Sequence, residues 1–223
     1  MDVAIIACEV IKDEIELVIK KFGCTYPIVW VESGLHEFPD NLRAKLQEEI
    51  DKLDGSYDDI LLLYGCCGYG TVGLVAQKSR LVIPIAEDCL SIMLGGDKAR
   101  NIVADTDKPL FMTRGWLEYQ DDYEEFDHCV EKFGLETTLD LYQEMYNSYH
   151  HLDMIDTGAY SIEESMDVAN KLAKRFGLQC KIIPSDMHML EDALRGNWQV
   201  GFNILAPGQR IEKNYDRVEQ TAD

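Results

Sequence analysis

The sequence predicts an α/β protein built on parallel sheet, with Rossmann-like layers arranged as two lobes or as a two-part α/β/α sandwich. Three observations predict it. Short apolar runs rich in Val, Ile and Leu recur along the chain, as strands covered on both faces require. Segments with helical apolar periodicity separate them. Strand, helix and strand in series close a parallel sheet through right-handed crossovers. The 223 residues suit one large α/β domain or two small lobes, and 46% hydrophobic residues supply a core.

The first strand is read at Val3–Ala7. A helix over Glu14–Phe22 follows, with Ile15, Val18, Ile19 and Phe22 on one face. Ile28–Val31 is the second strand. Pro39–Leu53 is the next helix, with Pro39 suited to a first turn and Leu42, Leu46, Ile50 and Leu53 on one side. Ile60–Tyr64 and Leu81–Ile85 are the third and fourth strands. Pro109–Thr113 reads as another, ending at Arg114-Gly115-Trp116. Glu118 to Tyr149 is mostly helical and strongly acidic, and Tyr142, Tyr146 and Tyr149 fall at the spacing of a packing stripe. Leu152–Asp156 is a strand. Ser161–Phe176 is an amphipathic helix with Ser161 as N-cap and Glu164 completing a capping box. Cys180–Pro184 is a strand, Met187–Leu194 a short helix ending at Gly196, and Val200–Leu205 a last strand before Pro207-Gly208. The polar tail after Ile211 is expected to fray. The division falls in the middle segment: residues 1–117 form an N-terminal α/β lobe, and 118–223 a helical segment plus a second α/β lobe.

A formal charge of −20 excludes nucleic acid as a partner, since that binding needs clustered Lys and Arg, and it disfavours anionic membranes. It reads instead as a solubility surface. No apolar run approaches the roughly 20 residues that cross a bilayer. MDVAIIACEV reads as a buried strand without a basic leader or a small-residue cleavage site, so a cytoplasmic protein is expected. Seven cysteines, an odd number in a chain of this size, argue against a disulfide framework. Some of them are plain core residues, because free Cys buries readily.

The polar residues after the first four strands carry the chemistry. The first strand ends at Cys8-Glu9, and the second is followed by Gly34-Leu35-His36. The third ends at Gly65-Cys66-Cys67-Gly68 and the fourth at Asp88-Cys89. In a parallel sheet these positions share the carboxyl edge, where open α/β sheets bind ligands. Thiols and an imidazole can therefore meet there although they are far apart in sequence. Such donors favour zinc or an iron–sulfur cluster. Of the adjacent Cys66 and Cys67, which point differently, one is expected to face the site. Cys8 can equally be a small core residue at a strand end, and His36 can equally bond near a helix start.

The same third-strand loop fits a second template. Gly68, Gly70 and Gly73 outline G-x-G-x-x-G, and Asp88 stands about 20 residues on, where an acid would meet a ribose hydroxyl. That reading needs a helix opening over Thr71–Lys78. Against it, the strand is third rather than first, two cysteines intervene, and tight turns need glycine in any case.

Over nearly its whole length the sequence resembles the uncharacterised family called domain of unknown function 1638, of methanogenic archaea and anaerobic bacteria. The resemblance rests on Cys8-Glu9, on Gly34-Leu35-His36 with Pro39 and Leu42, and on Tyr64-Gly65 through Cys67-Gly68. It continues with Pro84 and Asp88-Cys89 before Leu94-Gly95, Gly115-Trp116 with Glu118, and Tyr149. Ile155-Asp156-Thr157-Gly158, Gly196-Asn197-Trp198, Phe202 and Pro207-Gly208 complete it. The resemblance implies that Cys8, His36, Cys67 and Cys89 are the strand-end set and that Cys66 is the spare. One departure stands out. A basic residue often found between the Pro and the Asp-Cys is replaced by Ile85-Ala86-Glu87, which makes this pocket more acidic and less suited to an anionic group. The family's association with corrinoid-dependent methyl transfer implies a one-carbon role by association only.

The expected protein is thus a zinc-type metalloprotein with ligands Cys8, His36, Cys67 and Cys89. Asp88 and Glu9 would orient a ligand or take a proton, Tyr64 and Trp116 would wall the pocket, and Gly68 and Gly70 would approach a bound cofactor. Tyr64 and Trp116 also have a plain packing reading. If catalytic, it transfers a methyl or other small group with a thiol or a corrinoid partner, protein or methyltransferase. The competing expectations are an iron–sulfur redox protein on the same ligands, and a nucleotide- or small-molecule-binding accessory protein.

Overall fold

Strand β1 (Val3–Cys8) is buried at all 6 of its positions, as is every residue of β3 (Asp59–Leu63). Such strands have no polar face to show, which is why their sequences run apolar rather than alternating. Between them lie α1 (Lys12–Phe22), β2 (Ile28–Val31) and α2 (Pro39–Leu53). Helix α1 stops at Gly23, whose left-handed backbone (φ 68°) lets its N–H reach the Ile19 carbonyl. Helix α2 opens on Pro39, as expected. β4 (Arg80–Pro84) leads into α3 (Cys89–Met93) and α4 (Asp97–Asp107). Next come β5 (Pro109–Met112), α5 (Arg114–Gln120), α6 (Glu124–Phe133) and α7 (Leu135–Met145). The chain ends with β6 (His151–Asp156), α8 (Ile162–Phe176), β7 (Gln179–Pro184), α9 (His188–Arg195) and β8 (Phe202–Leu205). The computed structural model describes residues 2–120 and 124–212; the tail expected to fray lies outside them beyond residue 212.

The strands form two sheets. The first has the order β2-β1-β3-β4-β8, with β1 to β4 mutually parallel and β8 antiparallel against β4. Ile5 pairs with Ile28 on one side and Leu61 on the other, so β1 is central. From β1 the chain winds outward to β2, then returns past β1 to β3 and β4. The winding direction therefore reverses between β1 and β3, and a crevice opens at their carboxyl ends. The second sheet, β5-β6-β7, is parallel. Sheet membership crosses residue 117: β5 joins the later strands and β8 returns to the first sheet.

Alternation along β5 and β6 shares the second sheet between two cores. Phe111 and Ile155 belong to the large core, whereas Met112 and Met154 belong to a smaller one with Leu152, Leu172 and Phe176. Tyr142 and Tyr146 of the tyrosine stripe pack on this smaller core, 6.2 Å and 3.8 Å from the Phe176 ring centre, whereas Tyr149 is exposed and meets only Tyr146 among these rings. The Ser161 hydroxyl accepts from the Glu164 N–H at 3.3 Å, forming the first half of the capping box.

The structure differs from the expectation at four places. Helices α3 and α4 have no counterpart among the expected elements. The acidic stretch from Glu118 is divided into separate helices, with Gly134 at φ 81° between α6 and α7. Val200 lies outside β8. The segment Thr71–Lys78 contains no helix: a turn at residues 71–73 is followed by an isolated antiparallel bridge of Val75 to Arg210 and a bend. The dinucleotide template consequently lacks the helix N-terminus that would face a pyrophosphate.

Candidate functional site

A cavity of about 390 Å³ opens at the crevice between the ends of β1 and β3. Cys8, Cys67, Cys89 and His36 all line it, as do Tyr64, Trp116, Asp88 and Gly68. Val10, Leu35, Leu42 and Leu90 supply apolar wall, and the exposed residues Glu32 and Glu87 border the opening.

Local backbone geometry explains how residues so distant in sequence meet. Gly65 leaves β3 against the next crossover: a Cβ there would stand 2.5 Å from the Asp88 nitrogen. Two hydrogen bonds lock the approach, from the Cys66 N–H to the Ala86 carbonyl at 2.8 Å and from the Cys67 N–H to the Glu87 carbonyl at 2.9 Å. Cys67 itself adopts a left-handed backbone (φ 45°), unusual for a residue with a Cβ. Asp88 caps α3, its carboxylate accepting from the Ser91 N–H at 2.8 Å and the Ser91 hydroxyl at 3.0 Å. Arg100, from α4, holds the other Asp88 oxygen at 2.9 Å. On the opposite wall, a Cβ on Gly115 would stand 2.1 Å from the Val10 carbonyl oxygen. That close approach sets Trp116 beside the turn that follows Cys8. His36 sits in the one-turn helix Leu35–Glu37, with its ring 4.8 Å from Trp116 and 5.9 Å from Tyr119, both edge-on.

Burial is the main influence on the thiols and the imidazole here. It raises the Cys8 thiol, pushes Cys67 up to about 12 and raises Cys89 well above the ordinary thiol value. Cys67 and Cys8 raise Cys89 further, and Asp88 and Cys8 do the same to Cys67, so the three sulfurs lie within electrostatic reach of one another. Burial lowers His36, partly opposed by Glu37, which keeps the imidazole neutral and its lone pair available. Two buried donors are unsatisfied. The Tyr64 hydroxyl lies against Cys8 and the Trp116 indole N–H against Cys89, yet neither makes a well-formed hydrogen bond. An unpartnered buried donor is costly unless something else meets it.

The structure thus brings together Cys8, His36, Cys67, Cys89, Tyr64, Trp116, Asp88 and Gly68. It does not bring in Glu9 or Gly70. Glu9 points to a separate depression with Lys12, Asp13 and Arg114. Gly70 is buried against Leu42, where a Cβ would stand 2.6 Å from Cδ2, so it serves packing rather than a cofactor. Asp88 reaches the cavity, but its carboxylate is occupied by Ser91 and Arg100. Cys66 does not line the cavity. Sequence reasoning missed Arg100 and Glu32, whereas Glu87 lines the pocket that the Ile85-Ala86-Glu87 departure is expected to make more acidic. Glu32, directly after β2, was open to the strand-end argument that found Cys8; Arg100 lies within a helix that reasoning did not foresee.

Three thiols and an imidazole suit zinc by donor type, and two donors aimed at sulfur suit thiolate charge. Among the described residues, no group of three or more His, Cys, Asp or Glu side chains is arranged to hold a metal ion as it stands. Ligation by this set therefore requires the thiols to turn toward one another. None of the seven cysteines forms a disulfide.

A profile of the family described as "Protein of unknown function (DUF1638)" matches residues 30–194. No curated protein and no solved structure matches the chain.

Proposed function

We propose that this chain, which belongs to the family of unknown function DUF1638, binds a zinc-type cation through Cys8, Cys67, Cys89 and His36. There it serves methyl or other small-group transfer with a thiol or corrinoid partner in anaerobic one-carbon metabolism. One observation supports the metal most: three buried thiols and a neutral imidazole line a single cavity, and two unsatisfied donors lie against the sulfurs. The transfer chemistry and the corrinoid partner rest on the family association alone.

A zinc-type cation held there would supply the charge that lets thiols ionise at neutral pH; all four residues together would close a tetrahedral site, and only with one of them, such as Cys8, left as a packing residue would a position stay open for a co-substrate thiolate. The chain's own residues do the rest. Ionised Cys8 and Cys89 give the Tyr64 hydroxyl and the Trp116 N–H the acceptors they lack. Neutral His36 offers a lone pair without a proton to lose. Arg100 and Ser91 fix Asp88, and through the cap they fix the start of α3 that carries Cys89. Val10, Leu42 and Leu90 keep water from the sulfurs. The reading includes a cytoplasmic setting, where thiols stay reduced. Among the described residues no helix is long and apolar enough to cross a membrane.

The test is metal content and the ultraviolet–visible spectrum of anaerobically purified protein. One zinc per chain is expected, retained by Cys66→Ser and Cys24→Ser and lost in Cys67→Ser and Cys89→Ser. A brown protein with visible charge-transfer bands would favour an iron–sulfur cluster on the same donors. Metal-free protein that binds small molecules equally well with Cys67→Ala would favour an accessory binder.

A further inference from the structure

Carboxylates line this cavity, and among the described residues cations do not. Glu32, Glu87 and Asp88 line it, and no Lys or Arg among the described residues does. The guanidinium that reaches this border, Arg100, is engaged by Asp88 at 2.9 Å and lies 3.7 Å from Glu87. It offsets part of the border charge and leaves the rest, with Glu32 unpaired among the described residues. Below this border the walls are Val10, Leu35, Leu42 and Leu90 with the Trp116 indole. Tyr64, only 2% exposed, lines the cavity as well, and its hydroxyl, which lies against Cys8, makes no well-formed hydrogen bond, so its oxygen lone pairs can face a cation.

We infer that the ligand of this cavity is a small organic cation of the alkylammonium class, and that anions of the same size are excluded. The inference rests on the reading above only in taking this cavity as the ligand site; it does not need the metal. A carboxylate border attracts positive charge at any ionic strength low enough to leave short-range pairs unscreened. Apolar walls then select among cations. A bare ammonium or a lysine would lose strong hydration on entry, whereas an alkylated cation is weakly hydrated, brings its own apolar surface and can lie against an indole. The volume suits a small molecule rather than a peptide. Among the described residues an anion finds no cation lining the cavity, since Arg100 is drawn to Asp88 and Glu87, and no open helix N-terminus, since Asp88 already caps α3.

The experiment titrates tetramethylammonium, its uncharged shape-mimic tert-butanol and its anionic shape-mimic pivalate. Each is added to zinc-free and to zinc-loaded full-length protein, and the readout is the indole N–H resonance of Trp116, assigned with Trp116→Phe. Tetramethylammonium should give a saturable shift in both forms, and pivalate none. Tert-butanol should bind about tenfold more weakly, the effect of one short charge pair. The exposed substitutions Glu32→Gln and Glu87→Gln should each weaken tetramethylammonium by about threefold to tenfold without changing the fold. Pivalate binding as tightly as the cation, an unmoved resonance in both forms, or indifference to both glutamine variants would each overturn the inference. Binding of the cation by a protein that takes up no zinc would uphold it while removing the metal reading.

Discussion

The α-carbon of Gly65 lies so near the backbone of Asp88 that an added methyl group would meet its N, Cα and carbonyl carbon at 2.5, 2.6 and 2.7 Å. These are backbone atoms, which cannot rotate aside as a side chain could. The contact joins the loop that carries Cys67 to the loop that starts the helix carrying Cys89. Gly65→Ala must therefore push the two loops apart.

The expected cost of Gly65→Ala is about 1–3 kcal/mol, the usual range for overpacking. It should be accompanied by a loss of zinc affinity greater than that of an equally destabilising change elsewhere in the core, such as Ile50→Val. Urea unfolding and a competitive zinc titration on both variants check this. Equal zinc affinity in the two would mean that the sulfurs do not depend on this approach.

Cys67 gives a second, opposite prediction. Its φ of 45° makes a Cβ unfavourable at that position. Cys67→Gly should therefore be more stable than Cys67→Ala by about 1 kcal/mol, although glycine ordinarily costs more conformational entropy on folding. Thermal unfolding of both variants without metal decides it. A more stable alanine variant would show that the loop relaxes to an ordinary conformation.

The strand-end logic found most of the polar residues that line this cavity because it needs little information. Cys8 ends a parallel strand and His36, Cys67 and Cys89 each follow one, and parallel pairing alone carries strand ends to one edge. What it could not reach depends on coordinates rather than pattern. Glu9 is next to Cys8, but the turn Glu9–Ile11 swings it away while Val10 enters the wall. Gly68, Gly70 and Gly73 satisfy a dinucleotide pattern, yet the chain after them turns back on Leu42 and Arg43 instead of starting a helix. Strand β8 read as another member of an alternating series; its antiparallel pairing to β4 comes from a chain reversal that no local periodicity encodes.

Metal uptake should depend steeply on pH. The site thiols are raised by burial first; Asp88 and then Cys8 raise Cys67 further, to about 12, and Cys67 and Cys8 raise Cys89, so without metal these carry their protons at neutral pH. Ligation must displace those protons, and zinc affinity should rise by about tenfold per pH unit for each proton released. Calorimetric titrations at pH 6.5 and 7.5, in buffers of different ionisation enthalpy, count the protons directly. A proton count near zero would mean that the thiols are not the ligands.

Glu14 supplies a pH effect remote from the sulfurs. It is fully buried on α1; one carboxylate oxygen accepts from the Thr157 hydroxyl at 3.0 Å and the other has no partner. Burial, opposed in part by Thr157 and Arg114, raises it from 4.5 to about 7. Between these values the folded chain keeps a proton that the unfolded chain has lost. This contribution to stability is therefore full below pH 4.5 and is lost as pH rises through 7. The loss is on the order of 3 kcal/mol, since every tenfold difference in proton affinity between the folded and unfolded chain is worth about 1.4 kcal/mol. Glu14→Gln keeps an acceptor for Thr157 but cannot ionise. Subtracting its urea-unfolding free energies from those of the wild type at pH 5, 6, 7 and 8 cancels the general effect of the −20 charge. The difference should fall across that range and level off near pH 8. The slope is the readout, because an amide nitrogen at the unpartnered position shifts both ends of the curve alike. Parallel curves would mean that Glu14 is already ionised at pH 5 and that water or a neighbouring donor reaches its second oxygen.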